Sequence, residues 1–314
     1  MEERFEELLD MALGQRATDV HLSIYPDRTV IQIRGLNGLV SVEPSEADER
    51  LFNYLQFRSN MDLTEINRPQ SGSFALYHQG RYLDFRFACI VTRKVKSGVL
   101  RILNCHEGFS LDELTYDKSA MTIFDGWLER RNGLILFTGL TGSGKTTTMY
   151  SLLSRIRNRT IYSLEDPIEA VHENMIQLEI NEKIGFSYDE GIKQILRHNP
   201  DIIMIGEIRD EKAARMTVRA ALTGCLVVTS LHARSTTGAI YRLLELGVDE
   251  NHLFDSLLGI VNQRLCPLRD TSGYTCVYDI LTGEDLERFR RDRNIEVETM
   301  ERKLAIALEN EIIR

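Results

Sequence analysis

Residues 139–148 read GLTGSGKTTT, and no other stretch of the chain limits its fold so tightly. The apolar run LILFT (134–138) precedes them and the amphipathic TTTMYSLLSRI (146–156) follows, so a buried strand passes through closely spaced glycines straight into a helix. Gly139, Gly142 and Gly144 let the backbone curl until successive N–H groups point at one anion. Lys145 is placed to reach the terminal phosphates of a nucleotide, and the Thr146 hydroxyl to ligate Mg²⁺. Thr141, Ser143 and Thr147 complete the set expected to touch the nucleotide, and the helix that follows adds the positive end of its dipole. Such a loop serves kinases, switches, helicases and motors alike, so it identifies the ligand class and leaves the work undefined.

Three further strand candidates follow, TIYSL (160–164), DIIMI (201–205) and LVVTS (226–230), each closed by polar residues or glycine. Buried strands alternating with amphipathic helices imply a largely parallel sheet, and in open α/β sheets ligands bind beyond the carboxyl ends of the strands. The four ends are therefore expected to converge on one site. The second end carries Glu165, Asp166 and Glu169, three acids in five residues beside an anion site. They serve either Mg²⁺ and a water to be activated, or the capping of a turn around Pro167. The third closes with Gly206 and Glu207, an acid at the end of a buried strand, which is the Walker B arrangement that works through Mg²⁺ or the attacking water. The fourth is followed by His232, which either senses the terminal phosphate or is satisfied by loop carbonyls, and by Ser235 as a helix N-cap.

The first third has a different texture. Phe5, Leu8, Leu9, Ala12 and Leu13 share one helical face that stops at Gly14. Val20, Leu22 and Ile24 alternate inward in DVHLSI, TVIQIRG follows, and SFALYHQGRYLDFRFACIV reads as a hairpin turning at Gln79–Gly80. Between them Ser45 is expected to cap a helix bearing Leu51, Tyr54 and Leu55. The expected organisation is an N-terminal α+β domain with an antiparallel sheet over 1–104, a linker over 105–112 and an α/β motor domain with a C-terminal helical tail over 113–314.

Composition supports two soluble globular domains, since 43% of the 314 residues are hydrophobic and 27% charged. A net charge of -9 repels phosphate backbones, so direct nucleic-acid binding is not expected. No apolar run approaches the roughly 20 residues of a spanning helix. Five cysteines (Cys89, Cys105, Cys225, Cys266, Cys276), with no Cys-x-x-Cys spacing and no secretory leader in evidence, point to a reducing cytoplasm.

The four strand ends, in this order and spacing, closely resemble the secretion ATPase superfamily of type II secretion pseudopili, type IV pili and competence pili. The resemblance covers the phosphate loop, the Asp box (SLEDPIE), the segment QLEINEKIGFSYDEGIKQILRHNPDIIMIGEIRD and the His box (ALTGCLVVTSLHARSTTGAIYRLLELGV). It extends to ATDVHLSI and RPQSGSF in the first domain, and so to nearly the whole chain. It implies a RecA-like P-loop NTPase motor preceded by a smaller, PAS-like α+β domain, six subunits in a ring, and Mg²⁺-dependent hydrolysis of ATP coupled to movement. On matched positions it implies that Glu169 is the general base, Glu207 the Walker B acid acting with Thr146 on Mg²⁺, and His232 the sensor. Arg86 and Arg101 stand in strand-like contexts, where a lone arginine is ordinarily a surface or salt-bridge residue. The resemblance makes them candidate arginine fingers.

Departures from the pattern narrow the resemblance. Large assembly ATPases carry a tetracysteine zinc module after QRL, whereas NQRLCPLRDTSGYTCVYDIL offers only Cys266 and Cys276, so no zinc is expected. Cys225 stands where the His box has its first histidine. The compact length, absent zinc module and shortened C-terminal part look most like competence-pilus assembly ATPases of Gram-positive bacteria. That resemblance implies a homo-hexamer at the cytoplasmic face of the membrane, attached through an inner-membrane pilus platform protein. A pilus retraction ATPase, a RecA-like nucleic-acid translocase and a nucleotide-gated scaffold are the alternatives. The tail LERFRRDRNIEVETMERKLAIALENEIIR reads as one or two charged helices, either a solvated face or a neighbour contact.

Overall fold

Period-two alternation in the first third becomes one six-stranded antiparallel sheet with two helices on its apolar face. The computed structural model describes residues 1–15, 17–35, 38–64, 67–103, 110–270, 273–293 and 299–314. Cys105 and most of the expected linker 105–112 lie outside them. The chain divides into two units, Met1–Glu107 and Gly108–Arg314.

In the first unit the elements are α1 (Glu2–Gly14), β1 (Asp19–Ile24), β2 (Thr29–Gly35), β3 (Gly38–Val42), α2 (Asp48–Arg58), β4 (Gln70–His78), β5 (Arg81–Val91) and β6 (Lys96–Ile102). The sheet order is β3-β2-β1-β6-β5-β4. Val20, Leu22, Ile33, Phe85, Phe87 and Leu100 are buried on the face that receives Phe5, Leu8 and Leu9 of α1 and Leu51, Phe52 and Leu55 of α2. Phe74 and Phe85 stack at 5.0 Å, and Phe5 meets Phe85 edge-on at 5.6 Å.

The start of α2 departs from expectation. Ser45 stands three residues before Asp48, the first helical residue, and the Asp48 carboxylate accepts the Ser45 N–H at 2.7 Å. The Ser45 hydroxyl accepts the N–H of Ala47 at 3.3 Å, so the serine caps the turn that leads into the helix. Asp48 has no exposed side-chain surface, and its other oxygen accepts from Arg4 Nε at 2.9 Å. Arg4 also donates to Glu43 O at 2.6 Å and to Glu7 at 2.8 Å.

In the second unit, α3 (Leu111–Leu114) and α4 (Lys118–Leu128) lead to β7 (Gly133–Thr138), α5 (Lys145–Leu153), β8 (Ile161–Glu165), β9 (Met175–Glu179) and α6 (Tyr188–Leu196). Then come β10 (Ile202–Ile205), α7 (Glu211–Leu222), β11 (Leu226–Leu231), α8 (Thr236–Glu245), α9 (Glu250–Ser256), β12 (Leu257–Pro267), β13 (Tyr274–Thr282), α10 (Gly283–Arg291) and α11 (Met300–Glu309). The sheet order is β13-β12-β7-β11-β10-β8-β9, parallel throughout except for the edge strand β13. Every residue of β7, β10 and β11 is buried, as befits parallel strands covered on both faces. One apolar cluster takes in α6 to α9, the other α3 to α5.

The tail is less solvated than its charge suggests. Leu286 and Phe289 of α10 enter the first of these clusters, while Met300, Ala307 and Ile313 cover Cys266 and Val277 at the sheet edge. Cys266 and Cys276 belong to different apolar clusters.

The buried pair in the first unit gives a stability test. Arg4→Met leaves the Asp48 carboxylate without its counter-ion and is expected to cost about 3–5 kcal/mol. Adding Asp48→Leu removes the stranded charge and should recover much of that loss. Urea unfolding followed on the first unit checks both, and an unchanged midpoint in Arg4→Met would contradict the account.

Candidate nucleotide-binding and hydrolysis site

Because β7, β11, β10 and β8 are parallel neighbours, their carboxyl ends open onto one edge of the sheet. The ends are Thr138, Leu231, Ile205 and Glu165, followed by the phosphate loop, His232, Gly206–Glu207 and Asp166. Hydrogen bonds stitch them together. Thr138 Oγ1 donates to Ala233 O at 3.0 Å and accepts the Ala233 N–H at 2.9 Å, and Ser230 Oγ donates to Gly206 O at 2.7 Å.

The loop leaves β7 at Gly139, whose φ is +139°. A Cβ there would lie 2.4 Å from the backbone oxygen of Gln263 and 2.9 Å from Ser143 Oγ. Gly142 also has a positive φ, +79°, but a Cβ on it would meet open space. Gly144 precedes Lys145, which opens α5. Lys145 is only 9% exposed, and its ammonium donates to Gly139 O and Leu140 O, each at 3.1 Å. Burial lowers its pKa, opposed by the charges of Glu207 and Glu169. An ammonium taken from water and facing neutral carbonyls strongly favours an anion beside it. Ser143 Oγ is buried with no hydrogen-bond partner among the described residues. Thr146 is half-buried at the start of α5, and Thr141 and Thr147 are exposed. This donor set and curl fit the phosphates of a nucleotide.

The acids separate into different environments. Glu207 Oε1 meets His232 Nε2 at 2.7 Å, and Glu207 Oε2 meets Arg209 Nε at 2.9 Å. Arg209 Nη1 also reaches Asp166 at 2.5 Å, so one guanidinium ties the end of β8 to the end of β10. The second ring nitrogen of His232 lies 3.3 Å from Gly139 O, the carbonyl that also receives Lys145. His232 thus touches both the Walker B acid and the phosphate loop. Glu165, one of the three acids at the second strand end, is buried and accepts from Tyr150, Ser163 and Gln177. Glu169 is exposed in the loop after β8, within electrostatic range of Lys145.

Two residues behind the loop carried no signal in the sequence. Gln263 of β12, 2% exposed, donates to Ser143 O at 2.7 Å, and Asn262 donates to Arg234 O at 2.9 Å. A sheet-core strand containing Asn-Gln is illegible until its long-range partners are known. Arg209 lay within the quoted GEIRD run and was discoverable as the cation two residues beyond Glu207. Cys225 is packed in the core, donates to Pro200 O at 3.4 Å and has its pKa raised by burial, which fits a packing role.

Arg86 and Arg101 lie in the first unit, where they face each other across β5 and β6. Arg101 Nε is held by Asp19 at 2.8 Å, its neighbour on β1, while Arg86 has no ion pair among the described residues.

The two glycine environments separate steric from conformational effects. Gly139→Ala forces backbone against backbone and is expected to abolish binding of a fluorescent ATP analogue. Gly142→Ala meets only the strain of a positive φ, of order 1–3 kcal/mol, and should weaken binding less. Equal losses would contradict this geometry.

Residues 1–301 match the family model described as Type II/IV secretion system protein. The competence protein ComGA of Bacillus subtilis (strain 168) is 37% identical over 303 residues, covering 90% of this chain and 85% of that one. Type II secretion system protein E of Pseudomonas aeruginosa is 36% identical over 270 residues, 83% of this chain and 54% of the relative. Among solved structures, the pilus retraction motor PilT with bound ADP aligns with a TM-score of 0.77 and 25% identity, over 98% of this chain and 94% of that one. DotB of Legionella pneumophila, at 18% identity, shares the fold with a TM-score of 0.80, over 99% and 92%. With a phosphate loop, a Walker B acid and a histidine brought to one sheet edge, and with this likeness along almost all its length, the chain belongs to the type II/IV secretion system protein family, the secretion ATPases.

Proposed function

We propose that this ATP-hydrolysing enzyme powers the assembly of a competence pilus, a type IV-like filament used for DNA uptake. The observation that carries the reading is the His232 imidazole, which bridges Glu207 and the Gly139 carbonyl beside Lys145, so that phosphate binding and the acid at the end of β10 are mechanically connected. The likeness to the competence protein ComGA supports this reading.

In this reading Lys145 and the loop N–H groups bind and orient the phosphates, and Glu169 takes the proton of the attacking water. Thr146 and Glu207 would hold Mg²⁺, which when bound neutralises charge on the transferred phosphoryl group. His232 reports the change on hydrolysis by redistributing its two contacts. Arg86 and Arg101 act as arginine fingers. Six copies form a ring at the cytoplasmic face of the membrane, attached through a pilus platform protein, with no direct nucleic-acid contact expected from the acidic balance. Among the described residues no helix is long and apolar enough to cross a membrane.

A retraction motor is the second reading, favoured by the likeness to PilT over nearly all of that chain. Deleting the gene and complementing with wild type or Lys145→Ala separates the two. Assembly predicts loss of both displayed pili and DNA uptake, unrescued by Lys145→Ala, whose ATP turnover should fall by roughly 10³-fold or more. Excess displayed pili would contradict assembly and indicate retraction.

A further inference from the structure

Glu169 sits in a segment between β8 and β9 that has no regular structure, yet a general base must be held within hydrogen-bond reach of its water. What fixes that segment is a polar cluster that runs from the half-buried Gln177 to the buried Glu165. Gln177 of β9 donates from one amide group to Glu165 Oε1 at 3.1 Å and to Ala170 O at 2.8 Å. Its carbonyl oxygen accepts the N–H of His172 at 2.7 Å. One side chain therefore uses both of its donors and its acceptor, and two of the three bonds grip the backbone immediately after Glu169. On the other side, the Ile168 N–H donates to Glu179 at 3.3 Å.

The cluster continues into the helix behind the phosphate loop. Glu165, 3% exposed, also accepts from Ser163 Oγ at 2.6 Å and from the Tyr150 hydroxyl. Tyr150 lies five residues after Lys145 on α5, and its ring packs on the His172 ring with centroids 4.0 Å apart. Burial, reinforced by the neighbouring Glu165 charge, pushes the Tyr150 phenol far above its ordinary pKa, so it remains a donor at every working pH. A buried carboxylate with three neutral donors is a fixed point rather than a reactant.

We propose that Gln177 is a positioning residue for hydrolysis, holding the Glu169 segment in register with α5 through the Tyr150–Glu165–Gln177 chain of hydrogen bonds. This rests on the proposed role of Glu169 as the general base. Displacing a reacting group by about 1 Å can cost on the order of 10²-fold in rate without altering what binds. Gln177 is accordingly expected to act on kcat and leave ATP affinity alone.

The test is a double-mutant cycle on the full chain, read as steady-state ATPase kinetics, binding of a non-hydrolysable ATP analogue, and thermal melting. Gln177→Leu should lower kcat about 10- to 100-fold with KM and analogue affinity within about threefold of wild type. In a Glu169→Gln background the same substitution should change residual kcat less than about twofold, because the group it positions is gone. If Gln177→Leu does not fold, Tyr150→Phe keeps the ring and removes the hydroxyl, and should give the same kcat-specific loss at smaller amplitude. A wild-type kcat in the folded variant, or a loss that persists undiminished in the Glu169→Gln background, would overturn the positioning role. Full turnover by Glu169→Gln alone would overturn the base assignment, and this proposal with it.

Discussion

The rest of the second unit is arranged around one electrostatic constraint, the buried ammonium of Lys145 at the mouth of a parallel sheet. Burying such a charge costs several kcal/mol unless it is compensated. Two loop carbonyls supply part of that compensation, and they are available only because the chain curls sharply after Thr138. The curl in turn needs a residue without a Cβ at Gly139, where the Gln263 backbone already occupies the space, and Gln263 then holds Ser143 O from behind. What remains uncompensated is a positive site at the start of α5 that only an anion can complete.

Around that site the acids are kept apart by structure rather than by sequence distance. Glu165 is withdrawn into a hydrogen-bonded cluster, Asp166 and Glu207 share Arg209, and Glu207 is further engaged by His232. Glu169 is exposed in the loop after β8, within electrostatic range of Lys145. Neighbouring acids of like appearance thus take different places: Glu165 is an anchor, Asp166 and Glu207 tie two strand ends together, and Glu169 stands exposed in the loop after β8.

Much of this was readable in advance where local chemistry decides structure. The four strands β7, β8, β10 and β11 are short apolar runs ended by polar residues, and Ser235 caps α8 as a side chain in its position should, accepting the Gly238 N–H at 3.0 Å. The hairpin turns at Gln79–Gly80, where both residues have positive φ. Legibility failed where long-range partners override local preference. β12 hides Asn262 and Gln263 in a sheet because their amides find Arg234 O and Ser143 O. Asp48 is an acid with no exposed surface because Arg4, 44 residues away, reaches it. The tail reads ambiguously, as a solvated face or a neighbour contact, because its charges outnumber Leu286 and Phe289, the residues that dock it. Gln177 is likewise unmarked by any local pattern, because its partners Glu165, Ala170 and His172 come from the preceding strand and loop.

The central claim, that Lys145 is poised for a nucleotide's phosphates with Glu207 and His232 as its neighbours, is tested most directly by a crystal structure of the chain with Mg²⁺ and a non-hydrolysable ATP analogue. The account predicts that the Lys145 ammonium leaves Gly139 O and Leu140 O for the terminal phosphates and that the His232 contact to Gly139 O changes with it. A nucleotide bound elsewhere, with Lys145 still resting on those two carbonyls, would contradict it.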